Sequence, residues 1–305
     1  MFVRALPTVA LAAVLPLCAQ DLAGPTSGFV FDEVAKALRV INGVPGAAYL
    51  GGALARVDSA SVSPDSKLAI AQVNGRLSLI RLADGSSTDL GEMAGSARIE
   101  WSSDSASAAV AGESNAAFRK LNATPERSRL ADLAGITALA VAKDGSVFAA
   151  AADGLYTLGA DARLVLAQDG ISDIALAPNG DLYVTLSARK QIMRVRGVQD
   201  SPEMALFASA AAGLEDPVGI GISADGAVIF ATDRAARALF AFSASGELTG
   251  RTELDFAPDA IERSGSYFRL NQRASAQDPL ELFDAARAAV FFVPTQDLTA
   301  TPVED

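Results

Sequence analysis

Aspartate and amide side chains recur at the ends of the apolar tracts of this 305-residue chain, and their types and spacing could do chemistry. Asp58, Asp173, Asp216 and Asp259 stand where such tracts begin, and Asp233 stands where one ends. Asn74, Glu113, Asn115, Asp153, Arg234, Asn271 and Gln272 follow other tracts. Oxygen donors of this kind suit calcium, a hard cation that takes six to eight oxygen ligands. A structural reading competes, because carboxylates and amides at strand ends also cap turns and stay solvated. The metal candidates are therefore Asp58, Asp173, Asp216, Asp233 and Asp259. Tyr49, Asn74, Asn115, Asp153, Arg234 and Asn271 are the candidates for contact with a ligand or partner. No residue is assigned a catalytic or cofactor-binding role. No cofactor is expected, and calcium is the ion this donor set would accept.

Other chemistries lack their residues. There is no histidine, so a serine nucleophile has no imidazole to take its proton. Zinc hydrolysis leans on His and Cys, and the only cysteine is Cys18, near the N-terminus. Ser187 to Lys190, "SARK", fits the spacing in which a neutral lysine activates serine, but that motif works at a helix start and this one falls in a loop between strands. "GIGISADG", Gly219 to Gly226, lacks dinucleotide-binding spacing and precedes no helix; crowding of inner strands explains Gly219 and Gly221 better. Trp101 reads as a core ring between neighbouring sheets. Asn122-Ala123-Thr124 is a glycosylation sequon only in a eukaryotic setting. A formal charge of −11 with no basic cluster excludes nucleic acid as a partner.

The elements that must position these residues repeat. "SASVSPDSKLAIAQV" begins at Ser59, "ARIEWSSDSASAAVAG" at Ala97, "ITALAVAKDGSVFAAA" at Ile136, "ISDIALAPNGDLYVTL" at Ile171 and "PVGIGISADGAVIFAT" at Pro217. "DAIERSGSYFRLNQ" at Asp259 is a degenerate sixth copy. Each is an apolar strand, a turn carrying Asp or Asn with Gly or Ser, and a second strand. Starts fall roughly 35 to 46 residues apart, the period of four-stranded propeller blades. Further strands follow, as in "RLSLIRLADGSSTDL" and "RALFAFSASGELTGRTEL". Sheets this small bury little alone, so each needs a neighbour on both sides, and a closed ring supplies them.

"DLYVTLSARKQIMRV" and "VIFATDRAARALFAF" resemble the second and third strands of NHL or YVTN-type propeller repeats. "SVSPDSKLAIA" resembles the first hairpin of TolB-like and WD-related blades. The resemblance covers residues 28–294 and implies an all-β protein, a single β-propeller of four-stranded antiparallel blades. Seven blades are favoured, the N-terminal one short. In that reading residues 28–44 supply a third and fourth strand, and residues 43–54 cross the top face and bring Tyr49 to the mouth. Six blades are the alternative. The resemblance specifies a blade pattern and no activity. Propeller lactonases of the senescence-marker/gluconolactonase family hold a divalent metal with carboxylates and an Asn, but none of their motifs matches here. Streptogramin-type lyases rely on histidine, which is lacking.

Residues 1–19 have the layout of a secretory signal peptide: Arg4, an apolar run from Ala5 to Leu17, and an exit suited to cleavage after Ala19. The run is too short to span a membrane. A spacer, 20–27, and a loose polar tail, 295–305, would flank the propeller. These features predict a secreted or periplasmic monomer with no membrane span in the mature chain. The leading functional expectation is a non-enzymatic propeller presenting one face to a protein, peptide or glycan. The alternative is a divalent-metal-dependent lactonase or related hydrolase.

Overall fold

In the computed structural model, residues 25–112, 116–121, 126–271, 275 and 278–295 are described. The expected leader, Asn115, Glu113 and Gln272 lie outside them, as do most of the tail and the sequon.

All six repeat copies fold as antiparallel hairpins. Their first strands are Ser59–Val62, Arg98–Trp101, Ala138–Val141, Asp173–Leu176, Pro217–Ile222 and Glu262–Ser264. The bend residue is left-handed in every copy: Ser66, Ser105, Gly145, Gly180, Gly226 and Gly265. In the first five copies an aspartate or asparagine one residue earlier locks the bend; in the sixth, Ser264 stands there. Asp65, Asp104, Asp144, Asn179 and Asp225 each accept, through Oδ1, the backbone N–H two residues on. Two more strands complete each unit, giving six four-stranded antiparallel sheets, here called the first to sixth blades.

Apolar side chains on both faces of each sheet explain why the second strands read as nearly continuous hydrophobic runs. Leu182–Leu186 is buried throughout. Leu182 and Val184 pack on Phe148 and Ala150 of the third blade, while Tyr183 packs toward Ile220, Ile229 and Phe240 of the fifth. Fully burying a side chain of this size stabilises by roughly 1.5–3 kcal/mol. Every seam between neighbouring blades has such a cluster, so cohesion is shared around the ring. No helix among the described residues is long and apolar enough to cross a membrane.

The favoured count of seven four-stranded blades is corrected to six. The six first strands surround the axis, and the ring closes between the sixth blade and the first, whose inner strands touch. A Cβ on Gly265 would collide with Ser66 Oγ at that closure. The N-terminal segment forms a separate three-stranded sheet, Thr26–Asp32, Ala37–Asn42 and Tyr49–Arg56, wedged between the sixth and first blades. Its first hairpin lies at the same end as Asp58, whose carbonyl accepts from Lys36 Nζ. The three strands therefore correspond to second, third and fourth strands, and the innermost one is missing. This corrects the reading of residues 28–44 as third and fourth strands. It also corrects the path of residues 43–54, which turn at the opposite end and form the outer strand. Leu50 N donates to Pro294 O at 2.9 Å and Leu50 pairs with Thr295, joining this strand to the chain's last described residues.

Candidate functional site

The loops between second and third strands and the connections between blades share one end of the ring, the mouth. Most of the polar candidates there are engaged with their own loops. Asp58 Oδ2 accepts Asn74 N at 2.6 Å. Asp233, completely buried, accepts the backbone N–H groups of Glu215, Asp216 and Ala236 at 2.7 to 3.0 Å. Arg234 Nε lies 3.7 Å from Asp216 Oδ2. Asp153 Oδ2 accepts the Tyr156 hydroxyl at 2.7 Å. Asn271 donates to Pro279 O and accepts Glu281 N. Asp259 N donates to Leu270 O. Tyr49 opens the outer strand of the N-terminal sheet opposite Asn42, away from the mouth.

Among the described residues, no group of three or more Asp or Glu stands close enough to hold a metal ion. "SARK" is a single 3-10 turn, Ser187–Arg189, between two strands, with Lys190 left-handed at its end. The Ser187 hydroxyl is given to Ser172 Oγ at 3.0 Å and to Pro217 O. A cleft of about 460 Å³ opens at the opposite end, between the third and fourth blades, and contains none of the candidates.

The axial channel carries charges of a different kind. On the inner strand Arg98–Trp101, Arg98 and Glu100 are exposed to the channel. Trp101 points the other way into the seam with the first blade, where its Nε1 donates to Ser61 O at 3.3 Å. Asp173 opens the fourth blade's inner strand. Its Oδ1 accepts Ile174 N and its Oδ2 accepts Ile220 N of the fifth blade, both at 2.9 Å. In the sixth blade, Arg263 donates to Ile222 O at 2.7 Å and stacks 4.7 Å from the Phe268 ring. Glu262 and Glu33 both bind the guanidinium of Arg269, which is buried.

These groups act on one another across the axis. Burial pushes the Glu100 carboxyl up to about 8, and the charges of Asp173 and Glu262 add to the rise while Arg98 and Arg263 oppose it. Burial also lifts Asp173, to about 7, against the pull of its two backbone N–H bonds. Glu262 is held below the usual carboxylate range by Arg269. Carboxylates from the second, fourth and sixth blades thus face one axial space. Its wall is otherwise small: Ser61, Ala140, Ala175 and Gly221 stand where Glu100 stands in the second blade. Glu100 is exposed on its strand yet ringed by protein and by two other acids, which is why its carboxyl is raised.

Many solved structures share the fold. A virginiamycin B lyase from Staphylococcus aureus superposes with a TM-score of 0.56 at 16% identity, over 78% of this chain and 83% of that one. A putative 6-phosphogluconolactonase from Bacteroides uniformis gives 0.58 at 14%, over 88% and 95%. A chain of the nidogen/laminin complex gives 0.57 at 15%, over 74% and 92%. This chain is a six-bladed β-propeller. No family model and no curated protein sequence matches it. At these identities the propeller likeness is one of fold, and the fold hosts lyases, lactonases and binding modules alike.

Of the channel groups, only Asp173 was among the sequence candidates. Arg98, Glu100, Glu262, Arg263 and Arg269 were missed because attention went to loop ends. A signal existed: "RIEW" places two charges in an innermost strand where four other copies carry only small or apolar residues at the matching positions, apart from Asp173. Charge in such a strand is costly unless it is paired or hydrated.

Proposed function

We propose that this propeller is an exported, non-enzymatic binding protein that presents its mouth to a protein, peptide or glycan partner. The observation that supports this most is the state of the mouth's polar groups. Asp58, Asp233 and Asn271 are committed to holding their own loops. They shape a fixed surface at the mouth, and among the described residues no group of acidic side chains there could hold a metal ion. The fold neighbours include the nidogen/laminin complex, a protein assembly, which fits this reading. The leader-like opening segment supports export.

The test is cross-linking and affinity capture from the native envelope or medium with the intact chain, alongside hydrolase assays on lactones. Recovery of one stoichiometric partner without turnover supports the proposal. Turnover with no partner overturns it. The metal-dependent hydrolase reading makes a separate demand: calcium must raise the melting temperature and a chelator must reverse the rise, because a ligand that binds only the folded state stabilises it.

A further inference from the structure

We propose that Asn74 is a site of spontaneous covalent modification, closing with Gly75 to a succinimide that water opens to aspartate or isoaspartate at the mouth of the first blade. Three of the six asparagines precede glycine: Asn42, Asn74 and Asn179. Glycine lacks the Cβ that would shield its nitrogen from a neighbouring side chain. By sequence the three pairs are equivalent, and the fold separates them. In the reaction, hydroxide takes the glycine N–H proton and the nitrogen forms a bond to the asparagine Cγ. The Cγ–Nδ2 bond breaks, and that nitrogen leaves as ammonia with a proton from water. Water then adds to one of the two imide carbonyl carbons and breaks its bond to the ring nitrogen. The glycine nitrogen and the carboxamide must both be free to meet.

At Asn179 both groups are engaged. Its Oδ1 accepts Asp181 N at 3.0 Å, its Nδ2 donates to Asp181 Oδ2 at 3.2 Å, and Gly180 N donates to Ala177 O at 2.9 Å. At Asn42 the following nitrogen is engaged, Gly43 N donating to Pro25 O at 2.7 Å. The half-buried Asn42 carboxamide fills the space that a Cβ on Gly51 would take. At Asn74 neither group is held. Among the described residues its exposed side chain makes no hydrogen bond, and Gly75 N–H has no acceptor. Val73 pairs with Arg76, so Asn74 at φ +50° and Gly75 at +75° form the two-residue bend of the hairpin. The anchors of that bend hold other atoms: Asn74 N donates to Asp58 Oδ2 at 2.6 Å, and Gly75 O accepts Met93 N at 2.8 Å. The turn is fixed on both sides while the carboxamide and the attacking nitrogen stay free. Either product adds a carboxylate beside Asp58, and isoaspartate also lengthens the backbone by one carbon inside the bend. The modification goes beyond the binding reading, since it needs no partner, and it alters the surface on which that reading places one.

The test is incubation of the intact chain at pH 8, folded and in denaturing guanidinium, followed by tryptic digestion and mass spectrometry. The three Asn-Gly pairs fall on different tryptic peptides. The mass change from carboxamide to carboxylic acid marks the event, and isomerisation at Asp-Gly pairs does not produce it. In the folded chain Asn74 is expected to convert at least tenfold faster than Asn42 and Asn179, and in the unfolded chain the three rates should converge to within a few-fold. The Asn74 product is expected to accept a methyl group from S-adenosylmethionine through an isoaspartyl methyltransferase. Conversion of Asn42 or Asn179 as fast as Asn74 in the folded chain overturns the proposal. An order of rates that persists in guanidinium assigns it to sequence instead of fold and overturns it as well. A rate at Asn74 that does not rise from pH 7 to pH 9 overturns the hydroxide-driven step. None of these outcomes depends on a variant that must fold.

Discussion

Asp173 Oδ2 accepts the backbone N–H of Ile220 at 2.9 Å, crossing from the inner strand of the fourth blade to that of the fifth. One carboxylate thereby satisfies a strand edge that has no ladder partner on that side. Asp173→Ala leaves both Ile220 N–H and Ile174 N–H without this acceptor and is expected to cost about 1–3 kcal/mol. Asp173→Asn keeps one acceptor oxygen and should fall between Ala and wild type. Guanidinium unfolding of the three proteins checks the order.

The pH profile of stability should have opposite slopes on its two sides. Glu100 and Asp173 titrate at about 8 and about 7 in the folded chain, above the ordinary carboxylate range. Between about pH 4 and 8 the folded state therefore holds protons that the unfolded chain has lost, and stability declines as pH rises. Below about pH 4 the turn aspartates reverse the trend. Asp144 is held low by the Ser146 N–H, and Asp225 by the Ser223 hydroxyl, so the stability they supply is lost as acid protonates them. Melting temperatures from pH 3 to 9 should peak between pH 4 and 5. Glu100→Gln should flatten the decline above the peak, and a decline of unchanged slope in that variant would count against the channel titration.

Arg269 fastens the N-terminal sheet to the sixth blade. Its guanidinium binds Glu33 and Glu262 and reaches Phe31 O at 3.5 Å. Arg269→Met leaves Glu33 and the half-exposed Glu262 without their cation and is expected to cost about 1–3 kcal/mol. That is less than for a fully buried pair, because water reaches both carboxylates. Arg269→Met with Glu33→Gln and Glu262→Gln should recover part of that loss. Denaturant unfolding of the single and triple variants measures the recovery.

Gly219 separates packing from backbone strain. A Cβ there would meet Ile261 N at 2.7 Å and Thr232 Oγ1 at 2.8 Å, so Gly219→Ala forces the fifth and sixth blades apart. Overpacking of this kind costs typically 1–3 kcal/mol. At Gly180 nothing lies within 4 Å, and the φ of +87° alone penalises alanine, by roughly 1–2 kcal/mol. Gly219→Ala should lower the calorimetric melting temperature and also weaken the protection of Ile261 N–H against hydrogen exchange. Gly180→Ala should leave that amide unchanged.

The hairpins were legible in the chain because their determinants are local. Asp144 before Gly145 and Asp225 before Gly226 fix a bend within a few residues, and the flanking runs of Val, Ile, Phe and Ala are buried on both faces. The N-terminal sheet was harder to place. Reading residues 28–44 as a sheet without its first strand anticipated the missing innermost strand. Its strands carry the same local text as any blade, however, so which strands they supply, and that residues 49–56 form the outer one, was decided only by tertiary pairing.

The sequence by itself determined the repeat, the strand pairing within each copy and the absence of histidine chemistry, since each depends on residue type or on contacts a few positions apart. Tertiary structure decided the number of blades and the role of each carboxylate. Asp58 and Asp233 look alike in sequence to Asp173, yet the first two hold loops and the third faces the axis with Glu100. The physical reason is distance along the chain. Glu100, Asp173 and Glu262 belong to alternate blades, and only closing the ring brings their charges into one space.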